Sequence, residues 1–177
     1  MKNALKKLSL LSVCALALLM GCSKQNGSLI VIDSIEPTSA SVDNFNSYEK
    51  PQLFIGYQHL LKKDDRQSGV CFSSLASLTS YANELNNKNN EFDQIIESVS
   101  EEDFTNKKLI FTAEVSLGAG NMSLSFERMY FDDHNLNIAL RIETSGDGGA
   151  AVMRYAVYTF FIDSAIAYNS VNTLVYK

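Results

Sequence analysis

A handful of residues in this 177-residue chain have types and spacings that bear on chemistry. Cys22 closes the run Leu18-Leu19-Met20-Gly21-Cys22, a thiol placed directly after a small residue at the end of an apolar stretch. Cys71 and His59 would suit a nucleophile and its base, since a hydrolytic cysteine needs an imidazole to make thiolate. Yet Cys71 stands between Val70 and Phe72, and a lone thiol in an apolar run reads as core filler. Asp132-Asp133-His134 sets carboxylates beside an imidazole, but a calcium loop needs more oxygen ligands and a fixed turn glycine. Asp and Asn are what hairpin turns select, so this cluster reads as a turn. Glu114, Glu127 and Glu143 fall at outward strand positions and read as solvated faces rather than an acid and base pair.

Two glycine runs remain, Gly118-Ala119-Gly120 and Gly146-Asp147-Gly148-Gly149. Neither leads into a helix or a Lys-Ser or Lys-Thr pair, as a phosphate cradle would require. They read as flexible loops. Should both fall at one end of the sheet, Gly118, Gly120, Asn121, Gly146, Asp147 and Gly148 would form an adaptable rim for a partner.

The context of Cys22 resembles the signal of bacterial lipoproteins. Lys2, Lys6 and Lys7 precede thirteen residues, 8–20, in which Ser9 and Ser12 are the polar side chains. The lysines hold the start of the chain on the cytoplasmic side during export. A permanent span needs roughly 20 apolar residues, so this segment is too short to be one. The resemblance implies that diacylglycerol is joined to the Cys22 thiol, that the chain is cut before it, and that the new amino terminus is acylated, with palmitate among the attached chains. Two or more fatty chains hold a protein stably at a bilayer, at roughly 0.8 kcal/mol per buried methylene. The expected address is a cell membrane or outer membrane, on the extracytoplasmic side.

Cleavage removes three of fifteen basic residues, leaving twelve against twenty acidic ones and a formal charge of −8. So acidic a chain, lacking a basic stripe, is not expected to bind nucleic acid, and it is expected to stand off the membrane on a tether. With Cys14 lost and Cys22 acylated, Cys71 remains alone, so no internal disulfide can form and core packing must supply the stability. Two histidines and one thiol do not make up the ligand set that zinc prefers. No metal or cofactor is expected.

Three spans follow: a signal over 1–21, a tether over 22–50 rich in Ser, Asn and Thr, and a domain over 51–177. Within the tether, Leu29, Val31 and Ile35 allow a short strand over 29–35. In the domain, 53–57 and 70–72 suggest a hairpin with a long charged loop. Ser73 or Ser74 caps a helix whose stripe is Leu75, Leu78, Ala82 and Leu85. Phe92, Ile95, Ile96 and Val99 continue as a short helix, and Ser100 with Asp103 makes a capping pattern before Phe104. From Lys108 the period becomes two. A strand over 109–117 leads to the glycine turn, and 122–131 changes phase near Glu127-Arg128, which predicts a bulge. Leu136, Ile138, Leu140 and Ile142 form the cleanest strand, 151–162 is apolar on both faces like a central strand, and 174–176 pairs as a final edge. The fold class predicted is α+β: an antiparallel sheet with one or two helices packed on one face.

This order of parts is similar to the C-terminal-like domain of the protease complex subunit PrcB. The features that carry the likeness are the capped helix from Ser73, the acidic turn reaching Phe104, the glycine turn 118–121, the turn at Asp132 and the strand over 153–163. The resemblance implies a non-catalytic accessory that stabilises or assists an envelope protease. The expected function is therefore a lipid-anchored, non-enzymatic binding module. Its alternatives are a small envelope hydrolase using Cys71 or a serine, and a lipoprotein that binds a small ligand in a lined cavity.

Overall fold

A computed structural model describes residues 27–32, 51–85, 90–118, 120–132, 134–146 and 152–177. The signal segment, Cys22 and most of 22–50 lie outside the described residues. So do Asp147 and Gly148 of the second glycine run.

The class is α+β, as predicted, with the strands divided between two sheets rather than gathered in one. The first sheet has the order β1 (Leu29–Ile32), β9 (Ser170–Tyr176), β7 (Asn135–Thr144), β6 (Met122–Asp132). The second has the order β2 (Gln52–Gly56), β8 (Arg154–Asp163), β4 (Lys107–Phe111), β3 (Val70–Phe72), and β5 (Val115–Leu117) also pairs with β8. All pairings in the second sheet are antiparallel, whereas β9 runs parallel to both β1 and β7 in the first. Parallel neighbours need a crossover connection. Here β8 is that crossover, leaving the first sheet after β7 and returning to it as β9.

Alternation along β8 explains the layers. Ala156, Tyr158, Phe160 and Ile162 face the first sheet, where they meet Leu136, Ile138, Leu140, Val171 and Val175. Val157 and Phe161 face the other way, toward helices α1 (Leu75–Glu84) and α2 (Asn90–Glu97) and the short 3-10 turn Glu101–Phe104. The predicted central strand is thus buried on both faces. Helices cover one side of the second sheet and the first sheet covers the other.

Several local signals act as read. Ser74 caps α1, accepting from the Ser77 N–H (3.1 Å), while Ser77 Oγ accepts from the Ser74 N–H (3.3 Å). Asp103 Oδ2 accepts from both the N–H and the hydroxyl of Ser100, and these bonds hold its carboxyl below the ordinary value. The ladder between β6 and β7 shifts register between Phe126 and Arg128, the predicted bulge.

Other expectations are corrected. β2 and β3 do not pair as a hairpin, because β2 lies on β8 and β3 on β4, so residues 57–69 cross between two parts of the sheet. The final strand is not an edge, since β9 lies between β1 and β7. The strand over 109–117 is broken at 112–114. The short strand near residue 30 forms as β1 and is bonded into the first sheet.

Replacing Ser74 with Ala should cost about 1 kcal/mol, the usual worth of an N-cap hydroxyl. Urea unfolding of the two proteins should show a lower midpoint at unchanged slope.

Candidate functional site

Among the described residues, Gly120 and Asn121 of the first glycine run and Gly146 of the second lie at one end of the molecule. Met122 stands opposite Thr144 at the end of the β6 and β7 ladder, so Gly120 and Asn121 lie beside Ser145 and Gly146. Ser145 donates its N–H to the Asn121 carbonyl (3.0 Å), and Asn121 Nδ2 donates to the Gly146 carbonyl (3.0 Å). From the second sheet, Arg154 Nη2 reaches across to the carbonyls of Met122 (2.6 Å) and Gly120 (3.3 Å). One guanidinium thus ties the ends of both sheets, as a planar fork of donors can. Gly118, Gly120, Ser145 and Gly146 are exposed, and nothing lies within 4 Å of a Cβ built on Gly118. Gly146 has φ +68, a left-handed conformation that glycine adopts without strain. Beside them Val152 and Met153 are 42% and 49% exposed. The rim therefore joins polar loop backbone to a small apolar ledge.

A second cluster was not read from the sequence. The Glu114 side chain is only 3% exposed, against the expectation of a solvated strand face. Its Oε2 accepts from the backbone N–H groups of Leu60 (2.7 Å) and Leu61 (3.2 Å), and its Oε1 accepts from His59 Nδ1 (2.6 Å). Arg66 Nε lies 4.0 Å away and donates to the Leu61 carbonyl. The strand break explains the inward turn. Phe111 pairs with Thr159 but Val115 pairs with Ala156, so three residues on one strand oppose two on the other. Such a bulge re-aims side chains and breaks simple alternation. The sequence signal was a lone carboxylate inside the apolar run Leu109 to Val115.

Around it, the His59 ring lies 3.9 Å from that of Tyr155, and a hollow of about 230 Å3 is lined by His59, Leu61, Lys62, Lys63, Arg66, Glu84 and Leu85. Tyr81 ties α1 to the same connection: its hydroxyl accepts from the Lys62 N–H (2.9 Å) and donates to Asp65 (2.8 Å). Burial pushes the Tyr81 phenol well above its ordinary value; the Lys62 bond acts downward and Asp65 upward. Lys62 Nζ bonds Glu84 at 2.5 Å and stands 4.2 Å from the Tyr81 ring centre.

An imidazole oriented by a buried carboxylate is the arrangement that proton transfer uses. The structure does not bring Cys71 to it. Cys71 opposes Ile110, whose neighbour on β8 is Phe160, five residues from Tyr155 and so about 17 Å along the strand. The thiol packs at the margin of the core between the sheets. His134 takes the left-handed place, φ 65, in the turn between β6 and β7, which accounts for the Asp and His cluster there. Glu127 pairs with Arg141 across the β6 and β7 ladder, and Glu143 is exposed, so the three glutamates share no site.

Compared with family models, curated proteins and solved structures, the chain matches none of them.

Glu114→Ala should destabilise the protein by about 3 kcal/mol, because two buried amides lose their acceptor, and Glu114→Gln should cost less because one acceptor remains. Chemical denaturation orders the two. The Tyr81 phenol stays protonated in the fold when the unfolded chain begins to ionise, so stability should fall as pH rises above about 10. In Tyr81→Phe that alkaline decline should be shallower, with about 1 kcal/mol lost at neutral pH, as urea midpoints at each pH will show.

Proposed function

We propose that this chain is a lipid-anchored, extracytoplasmic, non-enzymatic binding module that presents its glycine-loop rim to another protein of the envelope. Cys22 in its setting of lysines, apolar residues and Gly21 is the observation that carries the reading. The rim supports it further. Exposed loop backbone on a rigid two-sheet body is where recognition is commonly placed, and the apolar ledge of Val152 and Met153 supplies area for contact. The order of elements similar to the PrcB C-terminal-like domain points to a protease as the partner, stabilised or assisted by contact rather than cut or modified.

The small-ligand alternative is less well supported, since the hollow beside His59, about 230 Å3, is smaller than the roughly 300 Å3 at which ligand pockets begin. The hydrolase alternative has one observation in its favour, the His59 and Glu114 pair, with a serine as nucleophile because Cys71 is remote. Labelling by a serine-directed probe that disappears in His59→Ala would support that reading.

Cells fed radiolabelled palmitate should incorporate it into the wild-type protein and not into Cys22→Ser, which should leave the membrane fraction. Equal retention of Cys22→Ser on membranes would refute the anchor. A photo-crosslinker placed at Gly120 should join the protein to an envelope protease, and loss of that product in a Val152→Asp, Met153→Asp variant would assign the contact to the rim.

A further inference from the structure

The expected tether of residues 22–50 would let the body drift as far as about 100 Å from its anchor. The first sheet removes most of that freedom. β1 is bonded to β9 over Leu29–Ile32, and the attachment starts earlier still. Ser28 accepts from the Thr173 N–H (2.9 Å), and a Cβ on Gly27 would fall 2.0 Å from the Val171 carbonyl oxygen and 2.7 Å from that of Ser68. Gly27 is thus wedged against β9 and the loop 57–69. Only five residue steps separate it from Cys22, a reach of at most about 18 Å.

Strand direction then decides which end lies near the anchor. Gly27 adjoins Val171, and Val171 stands beside Leu136 at the start of β7. The glycine rim lies beyond Thr144, eight residues further along β7, or about 26 Å away. A body turned rim-down would lift Gly27 higher than its connection can reach.

The end that remains has a surface suited to phospholipid. The loop between β8 and β9 reads Ala165-Ile166-Ala167-Tyr168, with Ala165 and Ala167 exposed and Ile166 and Tyr168 half-buried. Lys108 Nζ donates to the Ile166 carbonyl (2.9 Å) and stands 4.3 Å from the Tyr168 ring centre. An ammonium beside a tyrosine is a pairing suited to the headgroup layer, where rings sit with their polar edge in water and cations meet phosphodiesters. The carboxylate of the same loop, Asp163, is engaged by the Ala165 N–H (2.8 Å). Ile30 and Val31, 42% and 51% exposed, add apolar surface on the edge nearest the anchor.

We infer that the loop 163–170, with Lys108 and the start of β1, rests on the headgroups of the bilayer that holds Cys22, so that the first sheet stands upright and the glycine rim points away from the membrane. This rests on the acylation of Cys22 proposed above.

The chain contains no tryptophan, so one introduced indole reports its own position. Full-length protein shown to carry palmitate is reconstituted into phosphatidylcholine vesicles whose acyl chains are brominated near the headgroup. Ala167→Trp should lose most of its emission and shift to the blue, whereas Val152→Trp at the rim should lose little; Ser164→Trp replaces Ala167→Trp should the latter fail to fold. Equal quenching at both ends would mean a body lying on its side, and no quenching at either would mean a body held away; each overturns the orientation while leaving the anchor intact. Preparations without palmitate would remove the anchor and the orientation together.

Discussion

The three residues 112–114 bond the second sheet, the first sheet and the connection 57–69 to one another at one place. Each turns a backbone or side-chain group toward a different partner. Thr112 exchanges bonds with Tyr158, its N–H donating to the carbonyl and its Oγ1 accepting from the Tyr158 N–H, both at 2.9 Å. Ala113 donates its N–H to Thr173 Oγ1 in the opposite sheet (3.0 Å), and Glu114 donates its N–H to the Arg66 carbonyl (2.8 Å). The Glu114 carboxylate then gathers the amides of Leu60 and Leu61. Thr112, Ala113, Glu114 and Thr173 are all buried, so each of these bonds is costly to leave unmade. A regular strand here would have bonded only within the second sheet. Interrupting it ties second sheet, first sheet and the long connection 57–69 together at one point.

That joint also gives Gly69 its place. The connection must turn back into β3 directly above the break, and Gly69 does so at φ +71 with its α-carbon so close to the Phe111 carbonyl that a Cβ would lie 2.2 Å from it. Any other residue would be strained in backbone and blocked in space. Ser68, one residue earlier, is the group against which Gly27 packs. The start of β1, the connection 57–69 and the break at 112–114 are therefore stacked in contact. In the proposed arrangement this puts a closely bonded part of the body near the lipid anchor.

Much of this was legible from local pattern and some was not, for identifiable reasons. The 2-period of β7, the caps at Ser74 and Ser100 and the bulge after Phe126 depend on neighbours within a few residues, and each formed as the residues suggest. Pairing choices depend on the whole fold. Val70–Phe72 is three residues long and apolar throughout, so nothing in it distinguishes β2 from β4 as a partner. The residues 174–176 read as a final edge are the last part of a longer strand, Ser170–Tyr176, whose place between β1 and β7 depends on the rest of the fold. Glu114 was assigned outward because alternation was carried straight across residues 112–114, and a single inserted residue reverses the facing. The position of the rim at one end depends on how the sheet pairs, and its stitching by Arg154 comes from the other sheet and has no local trace.

Three strands pointing the same way are what give the body two unlike ends. In a wholly antiparallel sheet each end carries turns of similar kind, and a chain anchored near one edge would have no preferred pole. Here β1, β9 and β7 all start at one end and finish at the other, because β8 carries the chain back through the second sheet. The starts collect Gly27, the loop 163–170 and the turn at His134, which Asn169 bonds through its N–H to the His134 carbonyl (2.9 Å). The finishes collect Gly120, Asn121, Gly146 and Arg154. In the proposed arrangement, a lipid at Cys22 would act on a whole end of the sheet rather than on a loose terminus. With β9 bonded on both sides and its Thr173 held to Ala113, the distance from Gly27 to the rim is set by strand length, a far stiffer ruler than a polar linker. On the proposed reading, a body built this way would hold its partner at a fixed height above the membrane.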